Sequence, residues 1–95
     1  MKKEYMFQCV IDDVFKEDTG LITINEAEKL WKKYYEEIKQ IMIYRTPSFY
    51  NFNMVIWTGC KDNTDYYTEL RGIDSRDNLI VENNKIYKII KEEII

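Results

Sequence analysis

Residues 3–16 read Lys-Glu-Tyr-Met-Phe-Gln-Cys-Val-Ile-Asp-Asp-Val-Phe-Lys, and whether this stretch is helix or strand decides the fold. On a helical period Phe7, Val10, Ile11 and Val14 share one face, with Gln8, Asp12 and Lys16 on another. On a period of two, Tyr5, Phe7, Cys9 and Ile11 alternate with their neighbours, and the pattern fails at Asp12–Asp13. The helical template survives further along the chain, so a helix is expected. A strand over Tyr5–Ile11 is the alternative.

The following segment has one reading. Ala27, Leu30, Trp31, Tyr34, Ile38, Ile41 and Met42 recur at steps of three and four, which draws one apolar stripe on a helix from about Asn25 to about Tyr44. Glu26, Lys29, Lys32, Lys33, Glu36, Glu37 and Gln40 fall off the stripe, and Glu28–Lys32 has the favoured order for a pair four apart. Thr23 followed by Glu26 fits a capping box, with Asn25 a rival cap, and Ile22 is placed to staple onto Ala27. Pro47 disfavours helical backbone at Thr46 and marks the end.

Beyond Pro47 the composition turns β-rich. Strands are expected over Asn53–Thr58, ending at Gly59, and over Tyr66–Ile73, weakened by Gly72. Lys61–Asp65 and Asp74–Asn78 read as polar turns. Leu79–Glu82, Asn83-Asn84 and Lys85–Ile90 read as a hairpin, because asparagine tolerates the positive φ of a type I′ turn. Its register sets Glu82 against Lys85, Val81 against Ile86 and Ile80 against Tyr87. Leu79, Val81, Ile86 and Ile90 then share a face that should meet the long helix. The tail from Lys91 to Ile95 either extends a strand or frays.

These elements predict an α+β fold in one domain, residues 1–95: two N-terminal helices packed on a four-stranded antiparallel sheet built from about Asn53 to Ile90. The alternative makes the first segment a fifth strand, in the order β-α-β-β-β-β.

The composition narrows the chemistry. The chain has no histidine, which removes the commonest near-neutral acid–base group and metal ligand. Its three glycines are isolated, so no phosphate-cradling or dinucleotide motif is present. Two cysteines, Cys9 and Cys60, are too few for a disulfide framework, and free thiols are expected with a Cys9–Cys60 bridge kept open. Cys60, between Gly59 and Lys61, is the only thiol with a basic neighbour, and a strand-end cysteine is expected to be inert. Asp62 and Asp65, or Asp74 and Asp77, read as turn residues rather than metal ligands. Lys2 and Lys3 precede an apolar run that Asp12–Asp13 stop too early for a signal peptide, and no stretch is long enough to span a membrane. No enzyme activity, cofactor, metal or membrane partner is expected, and a cytoplasmic location is.

From Phe7 to Tyr34 the pattern resembles an EF-hand helix–loop–helix, with Gly20, Ile22 and Glu26 at the loop's sixth, eighth and twelfth positions. Phe15 stands where that loop needs its first aspartate, with Glu17 and Thr19 at the third and fifth positions, so calcium binding is not expected.

The unusual quantity is aromatic content. Eight tyrosines, four phenylalanines and two tryptophans in 95 residues make 15% of the chain, more than a small core is expected to bury. A surplus of this kind suits an interface. With a net charge of −3 and no catalytic motif, the expected function is a small non-enzymatic protein-binding module, an inhibitor or modulator of a larger protein or complex. Small phage and mobile-element inhibitors, anti-CRISPR and other anti-defence proteins among them, are similar in size and composition alone. Trp57, Tyr66, Tyr67 and Arg71 are the expected partner-binding residues, and a homodimer is kept open. Two rival readings remain. One is a nucleic-acid-binding regulator that stacks bases on these same aromatics, disfavoured by Asp62, Asp65, Glu69 and Asp74 around them. The other is a small-ligand or nucleotide-binding oligomer.

Overall fold

The computed structural model describes residues 4–44, 51–60, 63–73 and 79–88. The first segment is a β-hairpin and not a helix. Strand β1 (Glu4–Ile11) turns back into β2 (Val14–Asp18) through Asp12 and Asp13, whose φ angles are 52° and 65°. Two successive left-handed residues are what a type I′ turn requires, and short polar aspartates tolerate that backbone. Tyr5, Phe7, Cys9 and Ile11 are buried in alternation along β1, whereas Val14 is exposed on β2. The helical grouping of Phe7 with Val14 is therefore overturned. So is the EF-hand likeness: its entering helix is strand, and Phe15 lies on β2.

Helix α1 (Ile24–Tyr44) carries its expected cap. The Glu26 amide donates to Thr23 Oγ1 at 3.2 Å, the Thr23 hydroxyl donates to Glu26 Oε1 at 3.2 Å, and the Ala27 amide donates to the Thr23 carbonyl at 3.0 Å. Thr23 is thus the cap residue and Asn25 lies inside the first turn. Four more strands follow: β3 (Asn51–Cys60), β4 (Asn63–Ile73), β5 (Leu79–Glu82) and β6 (Lys85–Lys88).

One antiparallel sheet has the order β2-β1-β3-β4, and β5 with β6 forms a separate two-stranded sheet. This corrects the expected four-stranded sheet from Asn53 to Ile90, whose strands divide between the two. It also corrects the alternative order, which gave Tyr5–Ile11 a strand but lacked β2. The physical reason is the alternating burial of β1, which makes it a central strand: Cys9 pairs with Glu17 on one side and Met54 on the other. The β3–β4 junction is tighter than expected. β3 runs on through Gly59, and Asn63, Thr64 and Asp65 belong to β4 rather than to a turn.

Helix α1 lies across β1 and β3. Ala27, Tyr34, Ile38 and Met42 meet Tyr5, Phe7, Cys9, Ile11, Phe52, Met54 and Ile56 in one core. The Phe7 and Tyr34 rings stack with centroids 5.8 Å apart, and the Tyr34 hydroxyl donates to the Lys16 carbonyl at 3.1 Å. These two aromatics are core residues that also tie the helix to the first hairpin.

The β5–β6 hairpin has the expected register, with Asn83 and Asn84 at φ 50° and 63°. A lone two-stranded hairpin is marginal in water and needs something to pack on. Here Val81 and Ile86 pack on the core and Leu79 is buried in it. The Tyr35 hydroxyl accepts the Ile86 amide at 2.6 Å, and Lys39, only 1% exposed, donates to Asn84 Oδ1 at 2.6 Å and to Glu36 Oε1 at 2.7 Å. The helix stop at Pro47, residues 61–62, the turn at 74–78 and the tail from Ile89, with Ile90, lie outside the described residues.

Candidate functional site: the outer face of the sheet

Helix α1 covers one face of the four-stranded sheet. Among the described residues, no element packs on the other. Alternation from the buried inner residues places Met6, Gln8 and Val10 of β1 on this outer face, with Asn53, Val55 and Trp57 of β3 beside them. Phe15 and Asp18 of β2 pair with Val10 and Gln8, and Glu69 and Arg71 of β4 pair with Val55 and Asn53.

The face is apolar in the middle and charged at the sides. Val55 is only 3% exposed although it points away from the helix. Phe15, 64% exposed, stands over the β2 edge. Trp57 is held in place: its indole Nε1–H donates to Gln8 Oε1 at 3.2 Å, and Gln8 Nε2 donates to Asp18 Oδ1 at 3.1 Å. The relay crosses three strands and restrains the indole ring on this face.

The four expected contact residues divide between the two faces. Trp57 and Arg71 are on the outer face, and Tyr66 occupies the register position opposite Trp57. Tyr67 goes the other way. The β3–β4 pairing slips between Ile56 and Trp57, so β4 carries an extra residue there. The Tyr67 ring reaches the helix side, edge-on to Tyr5 with centroids 5.6 Å apart, while its hydroxyl donates to Glu28 Oε1 at 3.5 Å. Simple alternation would have kept Tyr67 with Glu69 and Arg71, and the bulge breaks that grouping. Tyr67 instead lines a groove of about 290 Å³ with Glu28, Trp31, Lys32, Ile56 and Thr68. A second hollow of about 420 Å³ lies at the start of α1 beside Tyr5 and Leu21.

Sequence reasoning missed Phe15, Gln8 and Asp18 as members of the outer face, because it reads Gln8 and Phe15 as helical and gives Asp18 no strand. The signal that finds them is Asp12–Asp13 read as a turn.

Cys9 is buried and free. Burial pushes its thiol from the ordinary 9.0 up to about 11, with Glu37 adding to the rise. Cys60 lies six positions along β3 from Met54, the register partner of Cys9. That spacing is about 20 Å of strand, so the register does not bring the two positions side by side. Among the described residues no three side chains of metal-ligating type gather, and no helix is long and apolar enough to cross a membrane.

No protein-family model, curated protein or solved structure matches the chain. Its function has to be read from its own residues.

Proposed function

We propose that the chain is a non-enzymatic protein-binding module of the cytoplasm, an inhibitor or modulator of a larger protein, and that the outer sheet face makes the contact. The observation that carries this reading is the pairing of a pinned Trp57 with an exposed Phe15 on a face that no described element covers. Large rings at the centre and edge of an apolar patch are the usual energetic anchors of an interface. Arg71 and Glu69 at the β4 side and Asp18 at the β2 side supply a polar rim that selects the partner's orientation.

A nucleic-acid reading draws support from Trp57 and Arg71 sharing this face. Glu69 and Asp18 oppose phosphate on the same surface, so the protein reading is preferred.

The test is capture from the native host lysate with the wild-type chain and a Phe15→Asp, Trp57→Ala double variant, both confirmed folded by circular dichroism. A protein retained in stoichiometric amount by the wild type and lost by the variant is the expected result. Equal recovery on both, or salt-sensitive retention of oligonucleotides instead, would overturn the reading.

A further inference from the structure

Strand β4 is an edge. Among the described residues it pairs only with β3, although it is the longest strand, at 11 residues. An edge of that length is a template for further pairing unless something blunts it. The opposite edge, β2, is blunted: it has five residues, its pairing is bulged, and Lys16 within it forms an ion pair with Glu37 on α1. On β4 the bulge lies at Tyr67, so the backbone from Thr68 to Ile73 pairs regularly with β3.

We infer that β4 pairs antiparallel with β4 of a second copy, about a two-fold axis at Leu70, to give a continuous eight-stranded sheet. A two-fold that joins two antiparallel edges side by side stands normal to the sheet. Both outer faces then lie on the same side, and each outer residue must stand opposite another outer residue. Only registers centred on a residue meet that condition. Centred on Leu70, the register sets Glu69 of each copy against Arg71 of the other, twice over. Centred one residue earlier, it sets Glu69 against its own copy. One residue later, Arg71 meets Arg71.

Glu69 and Arg71 are both exposed and lie on the same face of β4. Neither takes part in an ion pair among the described residues. Their charges are therefore self-complementary in one register and self-repelling in its two neighbours. Leu70, partly buried against the core, meets its own copy at the axis on the helix side. Gly72 stands opposite Thr68 and adds no bulk there. The pairing draws Glu69 and Arg71 from the rim of the outer face into the dimer, and sedimentation of the isolated chain reads it with no other protein present.

The test is sedimentation equilibrium of the full chain at rising concentration, with two single charge reversals and their combination. The wild type should reach a mass twice that of the 11.6 kDa chain. Glu69→Arg and Arg71→Glu should each weaken the dimer about tenfold or more, because each turns two attractive cross-strand pairs into repulsive ones. The double variant Glu69→Arg, Arg71→Glu restores opposite charges across the axis and should recover the wild-type dissociation constant. Circular dichroism shows that each variant keeps its fold. A wild type that stays monomeric to millimolar concentration overturns the inference. So does a dimer that neither single reversal weakens, or a double variant no tighter than the singles.

Discussion

Lys39 Nζ lies 2.6 Å from Oδ1 of Asn84, a residue that also bends the chain at φ 63°. One asparagine thus makes the β5–β6 turn and holds the buried ammonium of the helix, whose remaining bonds go to Glu36 and, at 3.4 Å, to the Asn84 carbonyl. The pairing joins residues 45 positions apart. It fastens the small sheet to the C-terminal half of α1.

Substitution at Asn84 separates its two roles. Asn84→Gly keeps the left-handed backbone and loses only the Oδ1 acceptor, so it should cost about 1–2 kcal/mol. Asn84→Ala loses the acceptor and strains the turn, adding about 1–2 kcal/mol. Urea denaturation should rank wild type above the glycine variant and the glycine variant above the alanine one. Equal stability of the two variants would remove the backbone role.

The Tyr35 hydroxyl is the partner of the Ile86 amide. Tyr35→Phe leaves that N–H without its acceptor, which should cost about 1–2 kcal/mol. Hydrogen exchange at Ile86 should accelerate well beyond the change at Phe7 in β1. Uniform acceleration across both sites would mean that the hairpin does not open separately.

Gly72 is set by close packing, since its backbone needs no positive φ. A Cβ there would lie 2.8 Å from two atoms of the Phe52 ring and 3.2 Å from Leu79 Cδ1. Gly72→Ala should therefore destabilise by about 1–3 kcal/mol through overpacking. Adding Phe52→Leu should make the glycine replacement less costly than it is alone. Independent, additive losses in thermal denaturation would count against the clash.

Cys9 gives a pH signature. Its thiol titrates at about 11 in the fold against an ordinary 9.0. Between those values the unfolded chain releases a proton that the folded chain keeps, so the contribution is full below pH 9.0 and is lost as pH rises through about 11. Cys9→Ala should show a shallower fall in stability across this window than the wild type. At neutral pH, alkylation of Cys9 should proceed only as fast as global unfolding. Rapid labelling of the folded chain would contradict its burial.

The elements that sequence reading recovered are those decided by local chemistry. The Thr23–Glu26 cap, the stripe from Ala27 to Met42 and the Asn83-Asn84 hairpin each depend on residues within a few positions of one another. The first segment failed because Phe7 and Ile11 satisfy both a helical and an alternating pattern. Asp12 and Asp13, which look like the end of a strand, form a turn of the same kind as the two asparagines. Lys39 was passed over because its charge suggests solvent, although it falls between Tyr35 and Met42 on the buried side of the helix. On the sheet, Trp57 and Arg71 share the outer face. Tyr67 does not, since a bulge arises from how two strands meet and leaves no mark in the residues of either one.

Sheet order has a consequence for how the chain is made. β1 is central, yet its second neighbour, β3, is synthesised only after the whole of α1: Tyr5 waits for Thr58. A nascent chain on the ribosome therefore carries the first hairpin with one flank of β1 unsatisfied until β3 follows α1. Pairing across so long an interval makes folding slow for a chain of this size and leaves that flank open to capture by other nascent strands.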